Sequence, residues 1–245
     1  MERDPDKKTP KIRYLSRREV LGLMGSSAAA IVFVGCGGGE QSSDQSSSSS
    51  GEASTCVVKP EQTEGPYFVD TQLNRSDIRE EREGVPIDLA FNVSTIDADA
   101  ACTPLVGALV DLWQCDALGQ YSGVENNQGE TFLRGHQLTD DSGSARFTTI
   151  YPGWYQGRAV HMHFKIRDSP ASEQGYEFTS QLYFDDALTD EVHSQEPYAQ
   201  KGERDRRNSD DGIYGGGGDE LTLPLSEAGE GYQATFDIAL DTTYG

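Results

Sequence analysis

Through most of the chain, apolar residues recur with a period of two rather than three to four. Val106-Gly-Ala-Leu-Val-Asp-Leu-Trp113 and His161-Met-His-Phe-Lys-Ile166 alternate in this way, which sends successive side chains to opposite faces of a strand. Six β-rich runs stand out, at 86–95, 106–114, 144–150, 160–166, 178–184 and 232–240. Turn signals separate them, among them Asp116-Ala-Leu-Gly119, Asp140-Asp-Ser-Gly143 and Pro152-Gly153. Many short strands broken by turns predict an all-β fold with little helix, an antiparallel sandwich or barrel, in one domain over residues 56–245. Only 187–200 reads as short helix. The charged stretch 201–219 runs into four glycines and reads as a loop or flap. The chain has no internal repeat.

The first 35 residues do not belong to that pattern. Ser16-Arg17-Arg18-Glu19-Val20-Leu21 sets two arginines ahead of a short apolar stretch ending at Val34. A charged start, a short apolar middle and small residues predict a signal peptide of the twin-arginine kind over 1–35. Val32-Phe33-Val34-Gly35-Cys36 resembles a lipobox, with Phe33 where Leu is usual, so Cys36 is the candidate for a lipid anchor. Residues 36–55 are Gly, Ser, Gln and a few acids, a composition that buries too little to order itself and reads as a tether. The expected location is therefore the extracellular or periplasmic side, with the membrane reached only through a lipid on Cys36.

Composition narrows the partners. The net charge is −21, and removing residues 1–35, with seven Lys+Arg and four Asp+Glu, leaves 13 basic against 37 acidic residues, or −24. Such a surface excludes nucleic acid as partner, because phosphate binding needs clustered Lys and Arg. It also repels anionic ligands unless a local positive group draws them in. Fourteen Arg against six Lys suits a salt-adapted organism and equally an ordinary secreted protein. Eleven Tyr, nine Phe and two Trp argue for an ordered core. Beyond the signal and Cys36, the cysteines are Cys56, Cys102 and Cys115. Export to an oxidising compartment predicts one disulfide. An extended strand between Cys102 and Cys115 would hold those two about 35 Å apart, so Cys56 is expected to pair with one of them.

The chemistry concentrates between Tyr121 and His163. In His161-Met162-His163 both imidazoles project from one face of a strand and can grip one metal ion. Two partly buried histidines in a strand are the plainer explanation of that motif alone. Upstream, Tyr151-Pro152-Gly153-Trp154-Tyr155 packs aromatics around a turn, and a tyrosine beside a two-His clamp is a candidate phenolate ligand. A hard trivalent cation such as Fe(III) favours anionic oxygen and lowers a phenol's pKa. Tyr121 ends a second such segment. Two His and two Tyr would leave an octahedral ion open positions for substrate and solvent.

Several segments occur in a telling order: Gly107-Ala-Leu-Val-Asp-Leu-Trp-Gln114, Asp116-Ala-Leu-Gly-Gln-Tyr121, Phe132-Leu-Arg-Gly135, Thr139-Asp140, Pro152-Gly-Trp-Tyr155, Arg158 and Val160-His-Met-His-Phe164. With Thr63-Glu-Gly-Pro-Tyr67 and Ser180-Gln-Leu-Tyr-Phe184 they resemble the intradiol ring-cleavage dioxygenases, the family of catechol and protocatechuate dioxygenases. The likeness covers roughly residues 56–240. It implies a β-sandwich holding non-haem Fe(III) on Tyr121, Tyr155, His161 and His163, with Tyr155 and His163 axial. Tyr151 precedes the Pro-Gly turn and is not the ligand by motif position. Arg158 falls on the family's active-site arginine and Gln181 on a glutamine near the substrate, while Pro66 and Tyr67 would line the pocket. The implied reaction joins a small catechol-type aromatic diol to both atoms of O2, giving a cis,cis-muconate-type diacid.

The plain alternatives are a surface salt bridge for Arg158 and a hydrogen-bonded strand residue for Gln181. His136 and His193 read as surface or loop histidines. Asn92 and Cys102-Thr103-Pro104 depart from the family's usual glycines, and the signal and tether stand where classical members carry a helical dimerisation segment. The oligomeric state and the ring substituents are left open. Two other functions compete: a non-catalytic exported β-sandwich binding module, and a zinc or copper enzyme using His161 and His163 alone.

Overall fold

A computed structural model describes residues 56–96, 101–168 and 175–241. The expected signal, Cys36 and the tether lie outside the described residues. In chain order the elements are β1 (Pro86–Ile96), β2 (Cys102–Pro104), β3 (Leu109–Trp113), β4 (Arg134–Leu138), β5 (Ser144–Ile150), β6 (His161–Arg167), β7 (Glu177–Tyr183), α1 (Asp186–His193), β8 (Ser226–Ala228) and β9 (Gly231–Leu240). The fold is all-β, as expected. β5 matches its predicted run, and β1, β6, β7 and β9 match to within one residue at each end. β3 is shorter than its run, because Gly107 adopts a left-handed φ of 75° in a turn and leaves Val106 exposed. The predicted helix stops at His193, and after Pro197 only a single 3-10 turn, Tyr198–Lys201, follows.

Alternation decides which face each strand buries. In β1, Ile87, Leu89, Phe91 and Val93 are buried while Asp88 and Asn92 are exposed. In β9, Ala234, Phe236 and Ile238 point in, and Gln233, Thr235 and Asp237 point out. One sheet runs β2-β1-β9-β8, with β5 sharing the β2 edge of β1; the other runs β4-β3-β6-β7. Among the described residues, every pairing between these strands but one is antiparallel. β1 and β9 run parallel, from Ile87 against Tyr232 to Thr95 against Leu240, a contact between distant segments that strand patterning alone does not encode.

The two sheets meet over an aromatic centre. Phe91 of β1 lies 5.4 Å from the ring of Phe164 on β6, 5.8 Å from Phe236 and 6.0 Å from Phe147. Cys56 pairs with Cys102, which pins the start of the described chain to β2. Cys115 is the buried free thiol, and burial pushes its pKa to about 12, so it stays protonated.

β6 is buried on both faces. Met162, Phe164 and Ile166 enter the core between the sheets. His161, His163 and Lys165 point the other way, beneath the chain segment 60–68 that crosses over the second sheet. A groove of about 620 Å3 opens on the outer face of the first sheet, lined by Asp88, Arg146, Thr148, Gln233 and others. None of the residues singled out for chemistry belongs to it.

Truncating Phe91 to Ala removes the ring that joins both sheets. The loss in unfolding free energy should be about 3–5 kcal/mol, read from urea denaturation curves of the two proteins. A loss under about 1 kcal/mol would mean that the sandwich is held together elsewhere.

Candidate metal centre

Strand register builds the floor of the site. On the outer face of the second sheet, His163 stands opposite Trp113 of β3 and Gln181 of β7, and His161 stands opposite Tyr183. Directly opposed side chains on one face are in contact range. The Trp113 ring stacks on His163 at 5.0 Å with planes 7° apart. His161 Nδ1 lies 2.7 Å from the Ala159 carbonyl. A carbonyl only accepts, so Nδ1 carries the proton and Nε2 presents its lone pair.

Two loops bring the tyrosines. After β3, the Asp116 carboxylate accepts from the amides of Leu118 and Gln120, at 3.0 and 2.9 Å. This tight turn delivers Tyr121. The Pro152-Gly153 turn packs on the same loop, where a Cβ on Gly153 would stand 2.3 Å from the Ala117 carbonyl oxygen. Only glycine allows that approach, and Tyr155 follows it. Arg134, itself buried, donates to the carbonyls of Ser122 and Tyr67, at 3.0 and 2.7 Å. It ties the Tyr121 loop to the crossing segment.

That segment is the roof. Gln62 N–H bonds the Thr179 carbonyl at 3.0 Å, and Gln181 Nε2 donates to the Thr63 carbonyl at 2.9 Å. Gly65, with φ of 71°, passes so close that a Cβ would sit 3.2 Å from His163 Cε1. Tyr67 stacks on Tyr121 with centroids 4.4 Å apart and stands edge-on to Tyr155.

The four expected residues lie together, with the Tyr121 ring 5.7 Å from that of Tyr155 and 6.4 Å from that of His163. His161 Nε2 is 3.0 Å from His163 Nε2, 3.1 Å from the Tyr155 hydroxyl and 3.5 Å from Arg158 Nη1. One lone pair cannot accept from three donors. The Tyr121 hydroxyl is buried with no hydrogen-bond partner. Both features fit a cation that takes the place of protons at this point. Among the described residues no group of three or more His, Cys, Asp or Glu converges on one centre; the oxygen groups beside the two imidazoles are the phenols of Tyr121 and Tyr155. Two phenols and two imidazoles suit a hard, high-valent ion better than zinc or copper. His163 Nδ1 has no partner, and stacking on Trp113 fixes that ring instead.

Electrostatics prepares the donors. Burial, helped by the Arg158 charge, lowers the His161 pKa to about 3. Burial and the neighbouring His161 hold His163 well below the usual imidazole range. Both rings are therefore neutral at any ordinary pH and able to present a lone pair to a cation. Burial raises Tyr155 to about 12 and Tyr121 well above the usual phenol range. Each phenol keeps its proton unless a cation displaces it.

Arg158 is no surface residue. Its Nε donates to Asp211 at 2.8 Å and its Nη2 to Gln181 Oε1 at 2.5 Å. The salt-bridge and strand-residue readings of Arg158 and Gln181 are thus realised inside the site itself. Tyr151 is absent from the donor cluster, bonding Thr189 at 2.7 Å in the core. His136 lies on β4, and His193 ends α1 with Nε2 donating to the Pro152 carbonyl at 3.0 Å; neither joins the cluster. Trp113, Gly65, Asp211 and Tyr183 are site residues that the motifs did not single out for a role.

The Dioxygenase family profile matches residues 63–241. The chain belongs to the intradiol ring-cleavage dioxygenase family. This dioxygenase-family chain is 32% identical over 100 residues to a chlorocatechol 1,2-dioxygenase of Pseudomonas putida, covering 33% of this chain and 36% of that one. It is 36% identical over 92 residues to a catechol 1,2-dioxygenase of Candida albicans, covering 36% and 30%. It thus spans about a third of the length of these curated relatives. An intradiol ring-cleavage dioxygenase structure from Tetranychus urticae superposes with a TM-score of 0.68 at 29% identity, over 77% of this chain and 96% of that one. The dioxygenase domain of a Streptomyces dioxygenase–carbohydrate-binding protein fusion gives 0.55 at 31%, over 76% and 99%.

Because both phenols are protonated and both imidazoles neutral without a metal, loading a trivalent ion should release about two protons per ion. Affinity should rise as pH rises, by up to about a hundredfold per pH unit. Proton release corrected for hydrolysis of the free ion, followed with an indicator in weak buffer, checks this. Release of none would remove the phenols from the ligand set.

Proposed function

We propose that this chain is an exported Fe(III)-dependent dioxygenase that opens an aromatic ortho-diol with O2 between its two hydroxyl-bearing carbons, giving a cis,cis-muconate-type diacid. The carrying observation is the convergence of two neutral imidazole nitrogens and two buried phenols beside a fixed guanidinium. Family membership supports the reaction class, and the relatives named for catechol and chlorocatechol support an aromatic diol as substrate.

Tyr121, Tyr155, His161 and His163 would hold Fe(III), which when bound supplies Lewis acidity toward the diol oxygens and a redox path toward O2. The chain's own groups do the rest. The Tyr155 oxygen, which would be deprotonated while it holds the ion, can take a proton from the incoming diol. Arg158 Nη1 stands beside His161 and can hold negative charge that develops on the substrate. It is also the local positive group that so acidic a protein needs at an anion-forming site. Gln181 is tied to the Thr63 carbonyl and holds Arg158 from the far side. The Tyr67 and Trp113 rings cover the donors and keep water out. The diol plus both atoms of O2 accounts for every atom of the diacid, so no outside reductant is required.

The twin-arginine segment supports export of the domain already folded and loaded, and a lipid on Cys36 would keep it at the outer membrane surface by the 36–55 tether. The partners are then the diol and O2, with no nucleic acid.

Purified iron-loaded protein with catechol and 18O2 should consume oxygen and place both labelled atoms in the ring-opened diacid. Tyr155→Phe should lower turnover roughly 10²-fold. Oxygen uptake without a ring-opened product, or wild-type turnover in the variant, would contradict the reading.

A further inference from the structure

Asp211 lies in the stretch between α1 and β8, which the sequence marks only as charged and glycine-rich. Its side chain is 2% exposed, and the residue closes a 3-10 turn at Asn208–Asp210. The two oxygens of its carboxylate hold two different segments. Oδ2 accepts from Arg158 Nε at 2.8 Å and from the Ala159 amide at 2.9 Å. Oδ1 accepts from the Ile213 amide at 2.8 Å and the Tyr214 amide at 3.4 Å. One oxygen thus holds the strap that leads into β6, and the other holds its own loop. Burial alone would raise the Asp211 pKa, but the Ala159 amide and Arg158 outweigh it and keep the carboxyl below its usual value.

The guanidinium is planar, so two anchored nitrogens fix the third. Nε is held by Asp211 and Nη2 by Gln181 Oε1 at 2.5 Å, with the Tyr183 hydroxyl 3.5 Å away. Nη1 is left pointing at His161 Nε2 across 3.5 Å. Gln181 is itself anchored on the Thr63 carbonyl, and the Tyr183 hydroxyl on Gln62 Oε1 at 2.8 Å. Without Asp211, the Arg158 side chain would swing about Gln181 as a single pivot.

We propose that Asp211 is the positioning residue for Arg158, aiming Nη1 at the donor cluster and making the 203–219 loop part of the site. A buried ion pair is weak evidence for stability, since desolvation can cancel the attraction. What the pair provides here is direction. A displacement of about 1 Å in a charge-stabilising group can cost on the order of a hundredfold in rate. The proposal rests on the ring-cleavage reading only for its kinetic test.

Asp211→Asn keeps the shape and one acceptor oxygen but loses the charge. Two readouts separate the positioning claim from the functional one. In the gallium(III)-loaded, diamagnetic protein, the Arg158 Nε–H should give a slowly exchanging 1H–15N signal that vanishes in Asp211→Asn and in Arg158→Gln. The absence of that signal in the parent, or its persistence in Asp211→Asn, would overturn the proposal whatever the enzyme's activity. In the iron-loaded protein, Asp211→Asn should lower kcat for catechol at least tenfold, with KM changed less than threefold. Added to Arg158→Gln it should cost less than a further twofold. Wild-type kcat in Asp211→Asn, or a loss that adds in full to that of Arg158→Gln, would show that Asp211 does not act through Arg158. Melting temperatures of the variants should match the parent's within a few degrees, and a collapse there would overturn the positioning role in favour of a structural one.

Discussion

Burying the outward face of β6 is the constraint on which the site depends. That face carries His161, His163 and Lys165, groups that would ordinarily be left in water. Covering them carries a desolvation cost that has to be offset group by group. Lys165 is paired with Glu64 and Glu177, and one imidazole is bonded to the Ala159 carbonyl. The two Nε2 atoms are left facing each other at 3.0 Å, with the Tyr155 hydroxyl beside them, an arrangement that a cation would satisfy. The crossing segment that imposes this burial also supplies Glu64, the glycine that fits over His163 and the Tyr67 ring.

The same burial sets the character of every donor. It removes charge from the imidazoles and holds protons on the phenols, so the cluster is neutral until something positive enters. Arg158 supplies positive charge without occupying the centre, because Asp211 and Gln181 hold it to one side. A chain with a net charge of −21 thereby keeps one directed cation where anionic oxygen would form. Arg134 does similar work from behind. It is a buried guanidinium bound to carbonyls rather than carboxylates, and burial lowers its pKa to about 10.

The longer strands were legible because alternation is a local property. β1, β5, β6, β7 and β9 each carry enough apolar positions to set a period. The two-His face of β6 followed from that period alone. β2 and β8 are three residues each, too short to display one. β4 reads Arg-Gly-His-Gln-Leu, and its buried positions are a bonded guanidinium and a glycine, so hydrophobic pattern could not find it. The parallel β1–β9 pairing joins residues about 145 apart, and no local signal encodes it. In the site, the tyrosines were legible only through the order of motifs. Asp211 was hidden because one acidic residue in an acidic loop looks solvated until the fold places it against Ala159 and Arg158. The disulfide partner was likewise undecided between Cys102 and Cys115 until β2 was seen beside the chain's described start.

The central claim is that two phenols and two imidazoles form one metal centre that a diol can reach. A visible absorption spectrum of the purified, iron-loaded protein, taken before and after anaerobic addition of catechol, tests it most directly. Such a centre gives a broad tyrosinate-to-Fe(III) charge-transfer band at one iron per chain, shifting when catechol is added. A colourless protein that gains no band with added iron, or a band indifferent to catechol, would contradict it.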